Sequence, residues 1–188
     1  MLNPALRLDY FKFVYYNHLS EFYDKEGVDK VTFSPKLNTV YTLGEQVQFF
    51  LKTGIGFHSN DTRVSVEQQG DDILPKAYGA DLGTIWRPFT DLVFNVAAWW
   101  MYLEQEFVYV GDAGIVEPSG KSRRLGIDLG ARYQLHDWLF LYCDLNYAYA
   151  RSVDEPDGQD YIPLAPDLTS TGGIVIEDLS GFSGALNY

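Results

Sequence analysis

Between Ser122 and Ala150 apolar side chains fall on every second residue, twice over. In the first run Leu125, Ile127, Leu129, Ala131, Tyr133 and Leu135 alternate with Arg124, Gly126, Asp128, Gly130, Arg132 and Gln134. In the second, Leu139, Leu141, Cys143, Leu145, Tyr147 and Tyr149 share one parity, and Tyr142, Asp144 and Asn146 share the other. A period of two puts successive side chains on opposite faces of a strand; a helix would need a period of 3.6. The runs meet at His136-Asp137, so the spacing predicts a hairpin closed by a two-residue turn. Both runs exceed the usual strand of about five or six residues. Strands of about ten residues, apolar on one face and polar on the other, are what a transmembrane β-barrel requires.

The rest of the composition agrees with this reading. Hydrophobic residues make up 46 % of the 188 residues and aromatic residues 16 %. No run approaches the roughly eighteen apolar residues of a membrane helix. The net charge of -12 argues against a nucleic-acid partner, which needs a basic face for phosphates. It argues equally against basic docking on an anionic membrane surface. The single Cys143 excludes an intrachain disulfide, and its apolar parity marks it as a packing residue. His18, His58 and His136 are far apart, so no metal-ligand spacing exists and no cofactor is expected.

Alternation recurs along the chain. Leu6, Leu8 and Tyr10 oppose Arg7 and Asp9 in a first strand over 5–15, and 16–29 read as a long loop. Residues 30–42 follow, with Val31, Phe33, Leu37 and Tyr41 on one face and a bulge or local break expected at Pro35. Residues 47–57 place Val47, Phe49, Leu51, Ile55 and Phe57 outward and Gln48, Lys52, Gly54 and Gly56 inward. A polar segment runs from His58 to about Pro75. Residues 76–87 set Tyr78, Ala80, Leu82 and Trp86 against Gly79, Asp81, Gly83 and Arg87. The stretch 92–110 reads as the longest strand, although Trp99 and Met101 break its parity. A loop over 111–120, the long hairpin, an acidic loop around 154–167 and a last hairpin over 168–188 complete the chain. About nine antiparallel strands thus alternate long and short connections. That is the asymmetry of an up-and-down outer-membrane barrel, with short turns at one end and long loops at the other. Tyr41, Trp86 and Tyr133 lie near the short turns, and Trp100, Tyr102, Tyr147 and Tyr149 near the long loops, as aromatic girdles would.

Several segments also resemble a known family. These are F-S-P-K-L-N (33–38), L-K-T-G-I-G-F-H-S-N-D (51–61), A-Y-G-A-D-L-G (77–83), E-P-S-G-K-S-R-R-L-G-I-D-L-G (117–130) and I-P-L-A-P-D (162–167). In order and spacing they resemble the C-terminal barrel domain of TonB-dependent outer-membrane receptors. The resemblance implies a barrel of about twenty-two strands around an N-terminal plug. It implies uptake of a scarce ligand (an iron-siderophore, haem, cobalamin or a glycan) driven through TonB, with outer-membrane lipid as the surroundings. The sequence lacks a signal-peptide pattern, a plug and the closing strands, and begins and ends in mid-pattern. It reads as a partial barrel domain over 1–188, not transport-competent by itself.

Three other readings compete with a receptor segment: a small complete outer-membrane barrel, a phospholipase-like barrel enzyme, and a secreted soluble β-domain. The enzyme reading would rest on His58-Ser59. Adjacent strand residues point to opposite faces, however, and a base must reach its nucleophile. No catalytic residue is therefore assigned. The acidic loop with Asp154, Glu155, Asp157 and Asp160 lacks EF-hand order and reads as surface. A ligand path, if present, would run along the loop residues His58, Asn60, Asp61 and Arg63 and the inward Asp81, Arg124, Asp128 and Asp144.

Overall fold

The computed structural model describes residues 1–17, 24–58, 73–105, 107–110, 115–118 and 120–188. Nine strands form one antiparallel sheet. They are β1 (Leu2–Asn17), β2 (Asp24–Leu43), β3 (Val47–Phe57), β4 (Lys76–Phe89), β5 (Leu92–Leu103), β8 (Ser122–His136), β9 (Leu139–Ser152), β10 (Leu168–Leu179) and β11 (Phe182–Asn187). A separate hairpin pairs β6 (Phe107–Val110) with β7 (Ile115–Pro118). In the main sheet every strand lies beside its chain neighbour, with β6 and β7 looped out between β5 and β8, and β1 and β11 stand at the edges. This is the up-and-down order expected.

Most of the strands are 11 to 20 residues long. That equals or exceeds the roughly nine to eleven needed to cross a bilayer at a tilt. Residues directly opposite each other share a face, so the register tests the parity reading. Leu8 faces Phe33, Leu51 faces Leu82, Val96 faces Leu129 and Leu129 faces Leu145. One apolar face therefore runs across the sheet. It is not covered: Leu6, Leu8, Tyr10 and Leu82 are each more than 60 % exposed. Few side chains are buried at all, chiefly Ile73, Leu74 and Ala150 among the hydrophobic ones described. A sheet with an exposed apolar face and almost no core is stable only in an apolar surrounding.

The short turns solve a parity problem. In β8 and β9 odd residues are apolar, so odd must pair with odd, as Tyr133 does with Leu141. A plain two-residue turn would pair odd with even. The chain inserts a one-residue register shift between Gln134 and His136 and then turns through Asp137-Trp138, not through His136-Asp137. The same shift precedes the β4–β5 turn (Trp86/Phe89) and the β10–β11 turn (Ile176/Leu179). The last of these bends through residues at positive φ, Asp178, Ser180 and Gly181, and the Asp178 carboxylate accepts from the Gly181 amide at 3.2 Å. A bulge beside a tight turn keeps both strands' apolar sets on one face.

Three boundaries differ from the sequence reading. The segment 16–29 is mostly strand: the β1–β2 ladder continues through Tyr15↔Glu26 to Asn17↔Asp24, despite its polar composition. Backbone pairing does not require apolar side chains once a hairpin stands clear of the sheet. Residues 92–110 are two strands rather than one. Glu104 ends β5 by folding back, its carboxylate accepting from the Lys76 amide and the Tyr78 hydroxyl, both at 2.9 Å. At Pro35 the β1–β2 register is unbroken, and the expected break falls on the other side, where the β2–β3 ladder stops at Lys36↔Gly54. Proline has no N–H to extend that ladder.

Candidate functional site

The polar face of the sheet carries the chemistry, and the four strand residues expected there are all on it. Asp81 lies opposite Lys52 on β3 and Trp99 on β5. Arg124 lies opposite Met101 and Ala150, Asp128 opposite Ala97 and Asn146, and Asp144 opposite Gly130 and Thr171. His58 follows the end of β3, and its amide donates to the Pro75 carbonyl at 3.3 Å, closing the base of the loop. Burial pushes its imidazole below the usual histidine value. Asn60, Asp61 and Arg63 lie outside the described residues, as does Ser59. The His58-Ser59 pair thus lies partly outside the described residues.

Trp99 and Met101, the parity breakers of β5, have distinct roles. Trp99 lies flat across the strand boundary over Gly126, its direct partner, and its indole N–H donates to Asp128 Oδ1 at 3.0 Å. A Cβ on Gly126 would run into the Trp99 ring and come within 2.6 Å of the Tyr147 carbonyl. Two further rings repeat the arrangement: Phe50 covers Gly83 and Tyr142 covers Gly173, again direct cross-strand partners. On this face an aromatic side chain and a facing glycine act as one packing unit. Sequence parity alone treats the aromatic residue as misplaced and the glycine as bare.

Charges on β8 and β9 are satisfied locally. Arg132 pairs with Asp144 at 2.8 Å, stacks 5.4 Å from the Tyr142 ring centre and donates to the Cys143 carbonyl. Asp128 is engaged by the Trp99 indole. The β1–β4 part differs. Arg7, Lys30, Lys36 and Lys52 have polar-face register positions there, as do the carboxylates Asp9, Asp24, Glu26 and Asp81. Arg7 pairs with Asp9 at 2.7 Å.

The same region holds a trough of about 370 Å³, bounded by Lys36, Asn38, Lys52, Asp81 and Met101. Its floor is small because Gly54 faces Gly79 and Gly56 faces Ala77. No ring covers it. At Gly56 a Cβ would meet nothing within 4 Å, and at Gly79 only the Trp100 carbonyl at 3.9 Å. Lys36 and Lys52 were legible as inward residues by parity. The clustering that makes them a site depends on strand register, which a sequence does not print. Phe57 departs from its outward parity: its ring meets Phe11 edge-on at 5.5 Å and lies 5.8 Å from the Arg7 guanidinium carbon. It sits beyond the end of the β2–β3 ladder and is paired on one side only, with Lys76 of β4.

At the long-loop end the segment 153–167 is tied to the wall. The Arg151 guanidinium lies between two tyrosine rings, 4.0 Å from the Tyr149 centre and 4.1 Å from Tyr161. It also pairs with Asp160 at 3.5 Å, and the Ser152 amide donates to the Asp160 carbonyl. Asp154 accepts from the Lys121 amide at 2.9 Å. Two carboxylates of the acidic loop thus serve as tethers.

Comparison with known proteins agrees with this architecture. The family described as TonB dependent receptor-like, beta-barrel matches residues 1–188. The ferric citrate transporter FecA in its unliganded form superposes with a TM-score of 0.80 at 20 % identity, covering 99 % of this chain and 29 % of that one. The ferric yersiniabactin uptake receptor FyuA from Yersinia pestis gives 0.70 at 15 % identity, covering 99 % and 30 %. The copper transporter OprC gives 0.70 at 16 % identity, covering 94 % and 30 %. The chain thus spans less than a third of each of these solved relatives. No curated relative matches the sequence. With the family matched along its whole length and nine up-and-down strands in the expected order, the chain belongs to the TonB-dependent receptor β-barrel family.

Proposed function

We propose that the chain forms part of the wall of an outer-membrane receptor that takes up a scarce ligand with energy delivered through TonB. Its apolar face meets outer-membrane lipid. Its polar face lines the interior, where a plug domain and the passing ligand are the partners. The observation that carries the reading is the unbroken division of the sheet into an exposed apolar face and a charged one, in a chain of this family. Solved relatives named for ferric citrate, ferric yersiniabactin and copper support a metal or metal chelate over haem, cobalamin or a glycan. Ligand contacts are expected from the long segments His58–Pro75 and Gly111–Gly120 and from polar-face residues beneath them, with Asn60, Asp61 and Arg63 as loop candidates and Asp81, Arg124, Asp128 and Asp144 below. None of these is assigned a catalytic role. The test is uptake of labelled iron and copper chelates by cells with and without the intact gene. Energy-dependent uptake lost on deletion supports the reading, and unchanged uptake of every chelate, haem, cobalamin and glycan tried opposes it.

A further inference from the structure

We propose that the apolar, membrane-facing side of the sheet holds one phosphorylated lipid at its long-loop end, with the phosphate on Arg123 and one acyl chain in a groove between β2, β3 and β4. The proposal rests on the reading of the chain as a membrane wall and names a particular lipid on that wall. Three observations carry it.

The first is where charge begins. Register sets the outward side chains in rows across the sheet. The row of Ala80, Trp100, Leu125 and Tyr149 carries no charge, and neither does the next, Leu82, Ala98, Ile127 and Tyr147. One row beyond Trp100, towards the long loops, stand Tyr78, Tyr102, Arg123 and Arg151. Lys121 continues this parity two residues past Arg123, where its carbonyl accepts from the Val153 amide at 2.8 Å. These cations thus border the apolar band at the level of its aromatic girdle, which is the level of lipid headgroups. At the short-turn end the rows of Trp86 and Tyr133 hold no cation among the described residues.

The second is which of these charges is already answered. Arg123 and Arg151 are direct cross-strand partners, and like charges so placed repel. Arg151 is taken up by Asp160 and by the Tyr149 and Tyr161 rings. Asp154 accepts from the Lys121 amide, and Glu104 from the Lys76 amide and the Tyr78 hydroxyl. Arg123 is exposed, and among the described residues no carboxylate pairs with it. Its guanidinium offers paired N–H donors in the geometry that suits a phosphate, and Lys121 adds a second charge.

The third is a groove of about 400 Å³ on the same face, opening where the β2–β3 ladder ends at Lys36↔Gly54. Leu37, Thr53, Ala80 and Trp100 form one row across it, so two short side chains lie between two tall ones. The Thr53 hydroxyl donates to the Leu37 carbonyl at 3.4 Å, which leaves the floor without a free donor. A channel of this kind along the strands suits a hydrocarbon chain. Trp100 and Tyr102, stacked at 6.5 Å, lie between the groove and Arg123, the direct partner of Tyr102. Groove and guanidinium are separated by two to three strand spacings, about 10–12 Å, within the span of a single lipid.

The experiment places the full chain in phosphatidylcholine vesicles, normalised to the heat-modifiable, folded fraction. The vesicles contain a graded share of brominated phosphatidic acid or, in a parallel series, of brominated phosphatidylcholine. Bromine on an acyl chain quenches nearby tryptophan. Trp86→Phe leaves Trp100 as the outward reporter at the long-loop end, and Trp100→Phe leaves Trp86 at the other. Trp100 should be quenched at about fivefold lower mole fraction of the phosphatidic acid than of the phosphatidylcholine, the factor expected for one basic side chain at a phosphate. Trp86 should show no such preference. The preference should vanish in K121Q/R123Q, persist in R123K and weaken when Ala80→Leu fills the groove. Equal quenching of Trp100 by both lipids, or a preference that survives K121Q/R123Q, overturns the proposal and leaves the wall reading standing. A preference undiminished in A80L overturns the groove as its seat. Quenching at Trp86 but not at Trp100 would show that a second copy of the chain, not lipid, covers the groove. No quenching at either tryptophan by either lipid sinks the wall reading, and the proposal with it.

Discussion

The polar face of the sheet divides into two unlike regions. Across β5, β8, β9 and β10 it is finished: rings cover glycines at Trp99/Gly126 and Tyr142/Gly173, and Arg132 and Asp128 have short-range partners. Across β2, β3 and the upper part of β4 it is open: glycines face glycines, and lysines line a trough. Both regions have the same parity, the same strand lengths and much the same glycine content. What separates them is whether a cross-strand partner completes each small residue. A wall that needs only stability resembles the first region, and a wall that meets something else resembles the second.

The contrast breaks most readily at the glycines. Gly126→Val should destabilise the folded sheet by about 1–3 kcal/mol, the usual cost of overpacking, because its Cβ meets the Trp99 ring and the Tyr147 backbone. Gly56→Val, with nothing near its Cβ, should shift the urea midpoint far less. Equal losses at both positions would erase the distinction. Asp128→Ala comes next. It leaves the part-buried Trp99 indole without its acceptor and should cost about 1 kcal/mol or more, seen also as a change in tryptophan emission. Asp81→Ala should leave the emission maximum in place, since no such hydrogen bond is lost.

At the rim, Arg151→Ala removes both tyrosine contacts and the Asp160 pair. The 153–167 segment should then become the first site of proteolysis while the strands stay protected. Cleavage elsewhere would show that the clasp is not what holds the loop. Asp144→Asn should cost about 0.5 kcal/mol or less, because the Arg132–Asp144 pair is substantially exposed, with side chains at 48 % and 33 %. The smallest effect concerns His58. Its folded-state value lies below its unfolded one, so its contribution is present above the unfolded value near 6.5 and is lost as pH falls through the folded value. Protection of the Pro75 end of the loop should weaken on acidification and become insensitive to pH in a His58→Asn variant.

Much of this was legible in the residues. Period-two alternation located every strand of the main sheet and assigned the faces of most of them, because one face must be apolar along the whole crossing. It placed Asp81, Arg124, Asp128 and Asp144 on the polar side for the same reason. The hairpin turns were displaced by a residue, since a bulge leaves no mark on parity until the register is known. The Asp24–Gly27 stretch passed for loop because its pairing is carried by backbone groups common to every residue. The trough was invisible for a related reason: Lys36, Lys52 and Gly79 are far apart in sequence, and only the register of β2 with β3 and β3 with β4 brings them together.

The most direct test of the two-faced wall is a single-cysteine scan of β8, residues 124 to 133, after Cys143→Ser. Each position carries an environment-sensitive fluorophore, read with a lipid-borne and a water-borne quencher in membranes. The odd positions Leu125, Ile127, Leu129 and Tyr133 should be quenched from the lipid, and the even positions Arg124, Asp128 and Arg132 from water or not at all. Loss of that alternation, or its reversal, would contradict a membrane-spanning barrel wall.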